Sequence, residues 1–149
     1  VGVDSSPSPK PLVWTSAGNA ASNWTSEGIT PSFNDVTAGG TKAAKRFVAV
    51  GNSTTPYYSD DGTTWTKGTC STANCSQVES KAVAYNHVLG LYLSVGGGKI
   101  LVSRDGKDWQ YLYDDYHHTQ AVEAVGRNFV GVGTDGVYTL DDNPQSSAK

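Results

Sequence analysis

The sequence predicts an all-β protein assembled from repeated four-stranded antiparallel units. Three observations predict it. A seven-residue turn motif occurs twice, as Ser59-Asp60-Asp61-Gly62-Thr63-Thr64-Trp65 and Ser103-Arg104-Asp105-Gly106-Lys107-Asp108-Trp109, at a spacing of 44 residues. Each copy follows a strand-like run of matching pattern, Phe47-Val48-Ala49-Val50-Gly51 and Tyr92-Leu93-Ser94-Val95-Gly96. A third such run, Phe129-Val130-Gly131-Val132-Gly133, leads into Tyr138-Thr139-Leu140-Asp141-Asp142. Between these landmarks, short runs rich in Val, Tyr, Phe, Leu and Thr alternate with clusters of Gly, Asn, Asp and Ser, which is the pattern of strands and turns.

Aligning the copies gives the elements of the repeat. Strand one carries Val36, Val83 and Val122; strand two carries Phe47, Tyr92 and Phe129. Strand three carries Tyr57-Tyr58, Leu101-Val102 and Val137-Tyr138, and strand four carries Trp65 and Trp109, running on to Thr66 and Tyr111. A repeat of about 40 residues with several short strands reads as propeller blades or a related array. Residues 1–11, with Ser5-Ser6-Pro7-Ser8-Pro9-Lys10-Pro11, read as an extended linker, 12–142 as the blades, and 143–149 as a tail. Residues 12–27 read as strands three and four, 33–66 and 80–111 as complete units, and 119–141 as strands one to three. The sum is about three blades, whereas closed propellers have about four to eight. An incomplete ring leaves open sheet edges, so a homodimer or larger assembly of the chain with itself is expected.

The turn motif explains itself chemically. Gly62 and Gly106 supply the positive φ that a tight hairpin needs. Ser59 with Asp61, and Ser103 with Asp105, can cap backbone N–H groups of the same turn. Trp65 and Trp109 then fold large apolar faces over the hairpin. The motif resembles the Asp-box of BNR-type repeat proteins, a group that includes sialidases, some xyloglucan hydrolases, sortilin-like receptors and photosystem assembly factors. The family pattern is Ser-x-Asp-x-Gly-x-Thr-Trp. This chain omits the residue between Asp and Gly; Thr64 is retained before Trp65, whereas Asp108 replaces it before Trp109. A third copy is truncated at Thr139-x-Asp141, and a degenerate one begins at Thr15-Ser16 with Asn23-Trp24 following late. The resemblance runs from about Leu12 to Asp142 and implies Asp-box β-propeller blades of four antiparallel strands, with the boxes in a structural role.

Composition narrows the partners. The net charge is −3, with no extended basic cluster, so nucleic acid is not expected, and no apolar run approaches a membrane span. Cys70 and Cys75 read as a local disulfide tying a loop, because two thiols make neither a zinc site nor a Cys-x-x-Cys redox pair. A disulfide implies an oxidising compartment. Asn23-Trp24-Thr25 and Asn52-Ser53-Thr54 match the N-glycosylation acceptor pattern at Asn23 and Asn52. The chain has no methionine, so a processed protein or a piece of a longer one is expected, outside the cell.

The resemblance also places candidate ligand residues. In propellers the connections between strands two and three, and from strand four to the next blade, share the face that usually holds ligand. Here these are 51–56, 96–99 and 133–136 within blades, and 26–32, 67–80 and 114–120 between them. The candidates are Asn52, Lys99, Asp114, Asp115, Tyr116, His117, His118 and Asp135. Tyr111, Tyr113 and Tyr116 offer flat faces with polar tips, suited either to sugar rings or to the gap between blades. His117 and His118 are adjacent, and neighbours in a strand point to opposite sides, so no metal site is expected. Sialidase chemistry needs three converging arginines; Arg46, Arg104 and Arg127 fall on the opposite face. No Gly-x-Ser-x-Gly elbow, phosphate loop or zinc pattern occurs. The expectation is a secreted, non-catalytic binding or adhesion module directed at carbohydrate, without catalytic residues or cofactor. The alternatives are a structural subunit of an extracellular assembly, and a fragment of an Asp-box glycoside hydrolase for which Asp114 with Asp135 would be a candidate pair.

Overall fold

The computed structural model describes residues 2–3, 11–12, 14–16, 24–26, 32–41, 43–53, 55–75 and 79–140, the first four stretches by backbone alone. The chain is built from antiparallel strands. β1 (Gly2–Val3) pairs with β2 (Pro11–Leu12), within the stretch that reads as an extended linker, and β3 (Trp14–Ser16) pairs with β4 (Trp24–Ser26). The first large sheet holds β5 (Phe33–Thr41), β6 (Ala44–Gly51), β7 (Tyr57–Ser59) and β8 (Thr66–Lys67) in that order. The second adds β9 (Thr69–Cys70) to β10 (Ala82–Asn86), β11 (Leu91–Gly96), β12 (Lys99–Ser103) and β13 (Asp108–Asp114), in the order β10-β11-β12-β13-β9. The third is β14 (Ala121–Val125), β15 (Asn128–Gly133) and β16 (Gly136–Leu140). The leading strands β5, β10 and β14 lie side by side, so the three sheets fan out from a shared inner edge.

Period-two alternation decides which residues fill each gap between sheets. From the second sheet, Ala82, Ala84, Leu93, Val95 and Ile100 face the third and meet Val122, Phe129 and Leu140. The intervening residues Val83, Tyr92, Leu101 and Trp109 face the first sheet and meet Val48 and Val50. The second sheet is therefore covered on both sides, and every residue of β11 is buried. That accounts for the largely apolar run of β11, where a strand with one wet face would alternate; Ser94 within it is buried with its hydroxyl donating to that of Ser80 at 2.9 Å.

Three expectations are corrected by the fold. The stretch 67–80 is more than a loop: it contains β9, which runs parallel to the start of β13, with Thr69 opposite Asp108 and Cys70 opposite Trp109. A two-residue strand has no periodicity to reveal it. Cys70 and Cys75 then close the following turn at bonding distance, with Cα atoms 6.0 Å apart, and a short 3-10 turn spans Ala73–Cys75. Second, the two tryptophans differ. Trp109 is fully buried, whereas Trp65 is half-buried against Phe33 and Ala49 of its own sheet. Third, the register moves the truncated motif by one residue. Ser59 pairs with Phe47 and Ser103 with Tyr92, but Phe129 pairs with Leu140, so Leu140 and not Thr139 holds the serine position. Leu140 is buried there among apolar side chains.

Because Trp109 loses all contact with water and Trp65 does not, their truncations should differ. Trp109→Ala is expected to cost about 3–5 kcal/mol. Trp65→Ala should cost about half as much, since the transfer contribution scales with the apolar area removed from water. Urea unfolding of both variants tests this, and equal losses would contradict the packing described.

Candidate functional site

The two repeated turns close in the same way. In the first, the Ser59 hydroxyl accepts from the Gly62 N–H at 2.8 Å and donates to Asp61 at 2.9 Å. The same Asp61 oxygen accepts from the Thr63 and Thr64 N–H groups at 2.8 and 2.7 Å. The Trp65 indole N–H donates to the Gly62 carbonyl at 3.0 Å. In the second turn, Ser103 accepts from Gly106 at 2.8 Å, Asp105 accepts from Lys107 and Asp108 at 2.9 Å each, and Trp109 donates to the Gly106 carbonyl at 3.2 Å. Hydrogen bonds to the charged form hold a carboxylate ionised. Asp61 is accordingly well below the usual carboxylate range, through the N–H groups of Thr64 and Thr63 and the Ser59 hydroxyl. Burial opposes the charge on Asp105, but the Asp108 and Lys107 N–H groups outweigh it and its pKa is also lowered.

These turns bind the sheets to one another. A Cβ at Gly106, where φ is +74°, would lie 2.8 Å from Val48 and 3.2 Å from Arg46, both on β6. Arg46 donates to Asp60 of its own sheet at 2.7 Å and to the Asp105 carbonyl of the next. The side-chain bond from Arg46 is the main reason the Asp60 pKa is lowered. Arg46 is thus a clamp between two sheets. Arg104 lies in the second turn and Arg127 between β14 and β15, at the same end of the sheets.

The opposite end carries the candidate ligand residues, and the structure gathers most of them into two adjacent groups. In the first, Lys99 opens β12 and pairs with Asp114, which closes β13, whereas the sequence pattern puts both in loops. The Lys99 ammonium donates to the Asn74 carbonyl at 2.6 Å, inside the disulfide turn, and lies 5.7 Å from the Tyr111 ring centre. The Tyr111 hydroxyl donates to Asp114 at 2.9 Å. Burial first, and this bond second, raise the Tyr111 pKa. Tyr113 packs against the core and Tyr116 is 83% exposed.

The second group surrounds a buried carboxylate. Asp115 accepts from the N–H groups of Thr119 at 2.6 Å and His117 at 3.2 Å, folding 115–119 into a compact turn. His117 and His118 therefore do not lie in a strand; the turn sets His118 at φ 50°. His117 Nδ1 is 2.7 Å from Asp135, whose pKa this bond lowers, and its ring stacks on Tyr138 at 4.3 Å. Tyr138 and Thr119 share a hydrogen bond of 2.9 Å. Asp114 and Asp135 thus have separate partners, Tyr111 and His117. Asn52 is exposed in the connection after β6, bound through its N–H to the Ser32 carbonyl; Asn23 lies outside the described residues. Sequence reasoning missed Tyr138, Thr119 and Asn74, since nothing local marks a tyrosine or threonine whose partner is about 20 residues distant. Among the described residues, no three His, Cys, Asp or Glu side chains converge as a metal site, and no helix is long and apolar enough to cross a membrane.

No family model and no curated protein matches the chain. Among solved structures it is similar to one described as YCF48 bound to D1 peptide, with a TM-score of 0.53 and 20% identity. The match covers 63% of this chain and 32% of the other, so the chain spans about a third of its neighbour's length. The likeness speaks to fold: the fanned antiparallel sheets are blades of a β-propeller-like arrangement.

The turn carboxylates give the chain a defined response to acid. A carboxylate with a lowered pKa in the folded state is protonated first in the unfolded chain. The stability it contributes is therefore present above the unfolded value of about 4 and lost as pH falls through the folded value. Asp61→Asn and Asp105→Asn should be less stable than the parent at neutral pH and should lose less on acidification. Urea midpoints at about pH 7 and about pH 3 test this, since the interval spans the unfolded carboxylate pKa. Parallel losses in parent and variants would contradict it.

Proposed function

We propose that this chain is a secreted, non-catalytic binding module whose repeated turns are Asp-boxes with a purely structural role. Its ligand is a neutral carbohydrate, taken at the end of the blades opposite the boxes. The observation that carries this reading is the surface formed by Lys99, Tyr111, Asp114 and Tyr116. It combines an ammonium donor, a carboxylate acceptor and two phenol rings on rigid strand ends and a short turn. Sugar hydroxyls pair in that manner with charged groups, while the C–H faces of the rings lie on aromatic side chains. The disulfide turn supports the reading, since Asn74 within it receives the Lys99 ammonium and so orients the donor. A disulfide here also favours an oxidising location.

Binding without turnover follows from the partners of the carboxylates. Asp114 is engaged by a phenol and Asp135 by a histidine, and neither is set beside a nucleophile with a base and an orienting group. A glycan array identifies the ligand, and calorimetry on the purified chain measures it. Lys99→Ala and Asp114→Asn are each expected to weaken binding by about tenfold, the equivalent of 1.4 kcal/mol, with little change in the unfolding midpoint. The reading fails if no glycan binds or if both variants bind as the parent does. Release of reducing sugar that disappears in Asp114→Ala would instead favour a glycoside hydrolase fragment.

A further inference from the structure

Trp109 is the key by which the second sheet locks onto the first. It fills the gap over Val48 and Tyr58, while Arg46 reaches the carbonyl of its turn. The third sheet has no counterpart to this arrangement among the described residues. Among the described residues β16 pairs only with β15, leaving its other edge without a partner strand. On the face of the second sheet turned toward the third is a cleft of about 440 Å³ lined by Leu91, Val102, Arg104, Asp105, Asp108, Gln110 and Leu112.

The register shows what this cleft corresponds to. Val102 pairs with Leu93 as Tyr58 pairs with Val48, so Val102 holds the position of Tyr58, which lies under Trp109. Leu91, one residue before Tyr92, matches Arg46, one residue before Phe47. The cleft therefore stands where a strand-four tryptophan of the third sheet would pack. Residues 141–149 contain no tryptophan. Each tryptophan follows its turn serine by six residues, and six residues beyond Leu140 is Ser146. The bulky apolar residues Val, Ile, Leu, Phe, Tyr and Trp do not occur in 141–149.

We propose that the open edge of β16 and this cleft form a strand-addition site. It takes an extended segment of a partner polypeptide that carries a tryptophan. The incoming strand would run antiparallel to β16, with its tryptophan opposite Leu140 and its ring over Leu91, Val102 and Leu112. Backbone ladder bonds supply affinity in such strand addition, and the side-chain pocket supplies selectivity. Arg104 provides the polar end of the site. It is a cation at the cleft rim with no ion pair among the described residues, and it occupies the position of Asp60, the residue to which Arg46 is bound. It is placed to donate to a carbonyl of the incoming turn, as Arg46 does to Asp105. The hairpin of β3 and β4 within a second copy is a poorer occupant. There Ser16 already pairs with Trp24, so β3 holds the strand-three position that β16 would need.

A peptide of residues 106–114 of this chain, with 5-fluorotryptophan at position 109, reproduces a strand four and serves as the probe. Titrated into the full-length protein, it should bind, shift the fluorine resonance and slow hydrogen exchange at the amides of Gly136–Leu140. The same peptide with alanine at 109 should bind about tenfold more weakly or not at all, as expected for a buried aromatic anchor. Arg104→Ala in the protein should weaken binding without altering the unfolding midpoint, and Val102→Lys should abolish it. The proposal is overturned if the probe does not bind, if the alanine peptide binds equally well, or if protection appears away from β16.

Discussion

One aspartate oxygen collecting two successive backbone N–H groups is the constraint on which this architecture rests. It occurs at Asp61 and again at Asp105, each time with a serine hydroxyl capping the glycine N–H and an indole N–H returned to the glycine carbonyl. A loop of that length would otherwise offer several unpaired polar groups to whatever packs on it. Closed internally, the Gly106 turn can be pressed onto β6, and the gap between the first two sheets becomes dry enough to hold Trp109 and Tyr92. Burial there pushes the Tyr92 pKa up to about 12.

Concentrating the structural chemistry at one end has a consequence at the other. The strand ends at Lys99 and Asp114 are anchored by the same sheets, and the connection 115–119 is bonded both to the second sheet, through Gly98, and to the third, through Thr134, Asp135 and Tyr138. They can present charged and aromatic groups on firm supports, as functional loops on rigid scaffolds commonly do. Asp115 shows how far the anchoring extends: its buried carboxylate shapes the turn that offers His117 to Asp135.

Much of the fold is legible in the sequence because its signals are local. Ser-x-Asp-Gly-x-x-Trp fits within one turn, and the flanking runs carry a period of two, so most strands of the two complete sheets fall where the pattern puts them; Trp65, read as part of strand four, instead ends the turn before β8. What escaped was set by distant partners. β9 exists because Thr69 and Cys70 lie against Asp108 and Trp109, about 40 residues away, and two residues carry no periodicity. The half-exposure of Trp65 follows from what covers it and not from its motif, which is nearly that of Trp109. The shift from Thr139 to Leu140 could have been found by counting from Phe129, as the register does, and not by matching a hydroxyl. The candidate site was legible as a set of residues and not as a geometry. The sequence puts Asp114 beside His117, yet the structure gives Asp114 to Tyr111 and His117 to Asp135.

Native-state hydrogen exchange at the turn amides tests the central claim most directly. Thr63, Thr64 and Asp108 are exposed residues in short connections or at a strand end, where amides ordinarily exchange quickly. If the aspartate-centred turns hold the blades together, these amides, with Gly62 and Gly106, should exchange only through global unfolding, at the same free energy as the β11 amides. Exchange of the turn amides at rates near those of an unfolded chain, while β11 stays protected, would show that the sheets stand without the turns and would contradict the account.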